Sequence, residues 1–183
     1  MGHGGTATTR DLPRIPAPDL ECMRAARFLA LLGLALLALP AGAAAGPTVP
    51  RESSGEQQAL VLLNQIRQEH GLGLLILRAP LRSAARAHSQ DMLANGYFDH
   101  DAPGETCGAR VSRYLKSPLI GEVIALGGGA SGSPVGIVSQ WMRSAAHRRT
   151  ILTGGFHRVG LGFATGTFAG RPGVVLATAD FAA

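Results

Sequence analysis

The stretch "WMRSAAHRRTIL", residues 141–152, sets a nucleophile-type side chain beside a base-type one. Ser144 and His147 are three positions apart, and on a continuous helix that spacing puts both on one face. With a carboxylate supplied from elsewhere, Glu122 being the candidate, they would make a serine–histidine–acid hydrolytic triad. The sequence has no GxSxG, the strand-turn elbow that presents such a serine in many hydrolases. Serine near a helix end is usually a local hydrogen-bonder. His147 itself is open to three readings: metal ligand, general base or packed side chain. Arg148 and Arg149 behind it suit the negative end of a helix, with anionic substrate as a further use. Local HxxxH or HExxH zinc spacing occurs nowhere. The remaining chemistry-bearing residues read more plainly. His70 decorates a helix end, His88 is a hydrogen-bonded core histidine, Asp99 and Asp101 are solvated turn residues, and Asp180 ends a strand. "GGGASGS", residues 127–133, lacks the GK[ST] of a phosphate-binding loop.

These residues need a scaffold, and not all 183 residues are expected to supply it. Residues 28–39, "FLALLGLALLAL", are apolar, follow Arg24 and Arg27, and lead into "AGAAAG". Basic start, short apolar middle and small-residue exit make a signal peptide at 23–45, cleaved after Ala43 or Ala45, with an uncleaved N-terminal anchor, and membrane contact through this segment alone, as the alternative. The apolar run is short of the roughly 20 residues that span a bilayer. Residues 1–22 are polar and Pro-rich, consistent with a disordered leader or with Met23 as the true start. Residues 46–55 read as a linker and 56–183 as one domain, large enough to bury its own core. Beyond residue 45 there are thirteen Lys+Arg and nine Asp+Glu, scattered rather than clustered. That excludes a nucleic-acid footprint and leaves a mild attraction to anionic surfaces. Cys22 lies ahead of the signal segment, so Cys107 is expected as a half-buried free thiol or an intermolecular link.

Periodicity then assigns the elements. Leu60, Val61, Leu62, Leu63 and Ile66 form a broad helical stripe stopped by Gly71. Pro80 opens a second helix whose face carries Leu81, Ala84, Ala85, His88 and Met92, and Gly96 ends it. "ARVSRYLK" is a short helix, and "PLIGEVIAL" a short extended or turning segment. Ser133 caps a helix with Val135, Val138, Trp141 and Met142 on one side. "RVGLGFATG" and "GVVLATADF" form an antiparallel hairpin. Helices first and strands last, with few crossovers, predict an α+β fold with an antiparallel sheet flanked by helices.

The segments "LVLLNQIRQEHGLGLL", "AARAHSQDMLANGYFDH", "GEVIA", "WMRSAAHRRTIL" and "VGLGFATG" occur in an order that resembles the CAP superfamily. That superfamily comprises cysteine-rich secretory, antigen 5 and pathogenesis-related proteins, and the likeness is to its disulfide-free bacterial branch with an SCP domain. The resemblance implies an α-β-α sandwich with a cavity lined by two histidines and two glutamates, which in some members holds a divalent metal, often zinc. His100 of "YFDH", Glu122 of "GEVIA" and His147 match three of the four. The second glutamate's place holds Ser144, and the asparagine that usually follows the first glutamate is Val123. The likeness thus implies His100, Glu122 and His147 as ligands of Zn2+ or another divalent cation, with water completing the shell. Without metal, Glu122 bridging the two imidazoles would satisfy all three groups.

Three functions follow as expectations. The first is an exported binding or interaction module at the cell envelope, secreted or periplasmic, with cell-wall polymer, lipid or envelope protein as partner. The second is a hydrolase acting on an extracellular or wall polymer, using Ser144, His147 and Glu122. The third is a lipid or sterol carrier with an apolar groove.

Overall fold

A computed structural model describes residues 53–183. The leader, signal and most of the linker expected from the sequence lie outside those residues, as does Cys22. Helix α1 (Ser54–Glu69) begins ahead of the expected boundary at 56, because Ser53 and Glu56 close a capping box around its first turn. Strand β1 (Ile76–Leu77) and helix α2 (Ala79–Asn95) follow, with Pro80 in the first turn of α2 and Gly96 ending it at φ 71°. Helix α3 (Cys107–Tyr114) leads to strand β2 (Ile120–Gly128), which is a full strand and not the brief segment expected. A 3-10 turn precedes α4 (Pro134–Arg143), α5 (Ala145–Ile151) and the hairpin β3 (Arg158–Phe168) and β4 (Arg171–Ala182).

The strands lie in the order β1-β3-β4-β2. β2 and β3 both pair antiparallel with β4, but β1 runs parallel to β3. The sheet is therefore mixed where a purely antiparallel one was expected. Two residues are too few to carry an alternating pattern, which is why β1 left no trace in the periodicity.

Period-2 alternation divides the sheet's residues between two helical layers. Val123, Ala125, Val159, Leu161, Ala177, Ala179 and Phe181 pack with Ile137, Trp141 and Ile151 of α4 and α5 and with Ala59 and Leu63 of α1. The intervening positions face α2 and α3, where Ile120 and Ala182 meet Leu81, Cys107 and Val111, and Ile124 and Leu176 meet Met92. The result is the α-β-α sandwich.

The two glycines of "VGLG" explain how α2 lies so close to the sheet. A Cβ on Gly160 would fall 2.0 Å from the carbonyl carbon of Leu81, and one on Gly162 2.2 Å from the amide nitrogen of Arg86. Ser89 completes the seam by donating to the Gly162 carbonyl at 2.9 Å.

Several side chains differ from the expected faces. Val61 is exposed on α1, and Val135 on α4, while Arg67 is fully buried. Arg67 donates to the carbonyls of Gly73, Ile151, Thr153 and Phe156, so a cation replaces an aliphatic residue in order to tie α1 to the segment after α5. At the outer edge of β1, the Asn64 side chain donates to the Leu75 carbonyl at 3.0 Å and accepts from the Leu75 amide at 2.8 Å. Cys107 is buried and disulfide-bonded, which corrects the expectation of a half-buried free thiol.

Candidate functional site

His100 sits in the loop between α2 and α3. Asp99 and Asp101, expected to be merely solvated, shape that loop. Asp99 Oδ1 accepts from the Asp101 amide at 3.1 Å, and Asp101 Oδ1 accepts from the Cys107 amide at 2.7 Å. Thr106 then caps α3 by accepting from the Ala109 amide. One turn further, Arg110 projects back under the loop and donates to the His100 carbonyl at 2.8 Å. Its other terminal nitrogen donates to Glu122 Oε2.

Glu122 is 4% exposed on the α2/α3 side of β2, where an isolated carboxylate would be costly. Its second oxygen, Oε1, bonds His100 Nδ1 at 2.8 Å. Burial pushes its pKa up, but the His100 bond and the Arg110 charge outweigh that and hold it down to about 2. Glu122 is thus an ionised carboxylate with both oxygens engaged. For His100, burial lowers the pKa, and the hydrogen bond and attraction to Glu122 more than reverse this, so the net direction is up.

His147 comes from α5. Its ring lies 6.2 Å from that of His100, edge-on at 70°. Its Nε2 is buried with no hydrogen-bond partner among the described residues. Burial, and then repulsion from His100, lower its pKa to about 4, against the attraction of Glu122. It is a neutral imidazole at physiological pH.

The structure therefore gathers His100, Glu122 and His147 in one place. In this arrangement they do not present three open ligands to a metal. Both Glu122 oxygens are taken, one of them by a guanidinium. Among the described residues no group of three or more His, Cys, Asp or Glu side chains is placed to hold a metal ion. The donor set open to a ligand is the imidazole pair alone, one short of the protein ligands usual for catalytic zinc.

The serine triad is not assembled either. The continuous helix expected to carry Ser144 and His147 is broken at Ser144, which ends α4 and caps α5 in extended backbone, φ −80° and ψ 121°. Its Oγ accepts from the His147 amide at 3.4 Å. The shared helical face that would have set hydroxyl against imidazole ring is lost at that break.

Three further residues complete the site. Arg110 is 3% exposed and has no sequence neighbour of opposite charge, so it read as one more helical cation. His88 was taken as a satisfied core histidine. It is buried and donates from Nε2 to the Asp99 carbonyl at 2.9 Å, but Nδ1 has no partner among the described residues and Glu122 Oε1 is 3.9 Å from Nε2. Burial lowers its pKa, keeping it neutral. Asp180 stands directly across from Glu122 in the β2–β4 register, fully buried, with neither carboxyl oxygen hydrogen-bonded among the described residues. Burial, then the Glu122 charge, raise its pKa well above the usual range and hold it protonated. The signal for Asp180 was present in "LATADFA", residues 176–182, where Thr178 and Asp180 alternate with buried Ala177, Ala179 and Phe181.

The match to known proteins decides the family. The CAP model, described as the cysteine-rich secretory protein family, matches residues 60–178. This chain belongs to that family. Bacillus subtilis YkwD is 36% identical over 113 residues, which is 61% of this chain and 43% of YkwD. An extracellular SCP-domain protein of Bacillus anthracis superposes with a TM-score of 0.59 at 32% identity, over 70% of this chain and 40% of that one. An outer surface protein of Borrelia burgdorferi shares the fold, with a TM-score of 0.59 at 17% identity over 72% of this chain and 96% of its own. This chain thus spans less than half the length of its Bacillus relatives. No helix among the described residues is long and apolar enough to cross a membrane.

Proposed function

We propose that this chain is an exported binding module of the cell envelope, whose ligand enters the hollow between His100 and His147. The observation that carries the reading is the buried, unpartnered Nε2 of His147, on a ring 6.2 Å from a second imidazole already fixed by Glu122. A buried polar atom without a partner costs free energy, on the order of 1–3 kcal/mol, that an incoming ligand can recover. The extracellular SCP-domain relative supports the location, and the mild positive charge suits an anionic wall. Binding of the full chain to purified cell-wall polymer, followed by sedimentation, tests this. Wild type is expected in the pellet and His147→Phe in the supernatant; equal partition of the two would end the proposal.

A second reading, hydrolysis of an extracellular or wall polymer, is favoured by one contact. The Glu122–His100 bond is the way a carboxylate orients an imidazole base, and it leaves His100 Nε2 to activate water. In this reading Ser144 contributes only its cap. Ser144→Ala then retains any turnover while Glu122→Gln loses it by a factor on the order of 100 or more. Turnover untouched in both variants removes the reading.

A further inference from the structure

We infer that the arginines at the ends of α4 and α5 form a docking surface for a linear anionic polymer of the envelope; this rests on reading the chain as an exported envelope module, and it names that partner's chemistry and a surface beside the hollow. The charges are scattered along the chain, but the fold sorts them. Residues 123–179 carry five arginines and no Asp or Glu. The two acids that bound this stretch, Glu122 and Asp180, are buried, and Glu122 is paired with Arg110. Arg143 lies in the last turn of α4, and Arg148 and Arg149 in the last turn of α5. All three are exposed, and none is ion-paired among the described residues. At the helical rise of about 1.5 Å per residue, they leave the backbone within roughly 10 Å of one another along the chain.

Helix ends attract cations, because each carries about half a negative charge on its orphan carbonyls. At α5 that attraction is already answered by Arg67, which is buried and donates to the carbonyls of Ile151 and Thr153. Arg148 and Arg149 are therefore surplus to the helix. The Arg67 bonds also fix the end of α5, so the two guanidinium stems rise from an anchored base. The composition of the surface selects the partner. Its cations are all arginine, whose guanidinium grips phosphate or carboxylate oxygens as a two-pronged fork. A lipid surface would need apolar side chains to insert beside the charges. Among the described residues the exposed large hydrophobics are Val61, Leu74, Ile76, Tyr114 and Val135, none of them on α5 or in the last turn of α4, and Ile151 is buried. With Tyr114 away on α3, no exposed aromatic ring is there to stack on a nucleic-acid base. A flexible chain with repeated anionic groups meets several of these arginines at once and needs neither.

Fluorescence anisotropy of labelled inorganic polyphosphate, titrated with the full chain, is the test. Wild type is expected to bind saturably and, with three contacts to a flexible polyanion, to weaken roughly 20-fold between about 50 and about 200 mM salt. Arg143→Gln/Arg148→Gln/Arg149→Gln is expected to lose affinity by roughly tenfold or more at the lower salt. Arg78→Gln/Arg113→Gln/Arg171→Gln removes the same net charge from exposed residues elsewhere and is expected to stay within about twofold of wild type. Arg148→Gln alone is expected to flatten the salt dependence by about one contact, which reads the same surface in a chain less altered. Polyphosphate ignored by wild type overturns the inference. So do equal losses in the two triple variants, which would make net charge the cause. Capture by phosphatidylglycerol vesicles in place of polyphosphate also overturns it, by making the partner a membrane. Polyphosphate held by the arginines, with wall polymer that sediments wild type and His147→Phe alike, leaves this surface standing and removes the hollow. Wall polymer that separates those two chains, in a protein blind to polyphosphate, does the reverse.

Discussion

The two faces of the sheet are written by alternate residues of the same three strands, yet they solve different problems. On the side of α1, α4 and α5, the inward positions of β2 and β4 are aliphatic or aromatic, and Trp141, Phe156 and Phe181 fill the space between the layers. On the side of α2 and α3, the apolar contacts split into separate clusters, one about Ile120 and one about Ile124. Glu122, Asp180, His88 and Arg110 occupy the gap. The first face is held by dispersion and exclusion of water, which need only volume and shape. The second is held by one ion pair and a set of hydrogen bonds, each of which depends on every partner being present. Separating this polar cluster from the main core lets it carry unsatisfied atoms without unpicking the fold.

Breaking the polar face from one side should be the most damaging change. Arg110→Met leaves the Glu122 charge buried with only His100 to meet it, and is expected to cost about 3–5 kcal/mol in urea denaturation. Gly160→Ala pushes a methyl into the α2 backbone and should cost about 1–3 kcal/mol, by moving α2 off the sheet rather than by touching charge. A third measurement uses pH. The unfolded chain protonates His147 at its ordinary 6.5, the folded chain only near 4. Stability from this group is therefore complete above the higher value and lost as pH falls toward the lower. His100 works in the opposite sense, since its raised folded value favours folding at low pH and loses that contribution as pH rises. Comparing wild type with His147→Gln at about pH 7.5 and about pH 5 isolates the His147 contribution, and wild type should lose the more stability on acidification. The smallest effect belongs to Asp180→Asn. At about pH 3, where Asp180 is protonated in folded and unfolded chains alike, exchanging the acid for its amide should change stability by under about 1 kcal/mol, and the variant should gain on wild type as pH rises. A loss as large as that of Arg110→Met would mean that Asp180 is ionised and paired.

The sandwich was legible because its long elements announce themselves. The α2 face from Leu81 to Met92, the stop at Gly96 and the closing hairpin all lie where the periodicity puts them. The CAP likeness carried His100, Glu122 and His147 to one place, although their segments share no local motif. What stayed hidden was of another kind. The break at Ser144 has neither glycine nor proline to mark it, so a run of good helix formers read as one helix. Arg67 and Arg110 are buried by partners far along the chain, and an arginine's burial leaves no mark on its own surroundings in sequence. Asp180 was readable from strand alternation but was passed over because a terminal position made it look peripheral. The metal reading turns on a different point. A ligand set can be matched by residue type, whereas whether a carboxylate still has an oxygen to give depends on a third residue.

The amide of Asn64, clasped to both polar groups of Leu75, acts as a stopper at the end of the sheet. Leu74 and Ile76 beside it are half exposed or more, so this margin would otherwise offer both grease and open main-chain groups to any passing strand. One side chain, donating and accepting at once, stands in for a missing neighbour and ends the sheet where another molecule would have continued it.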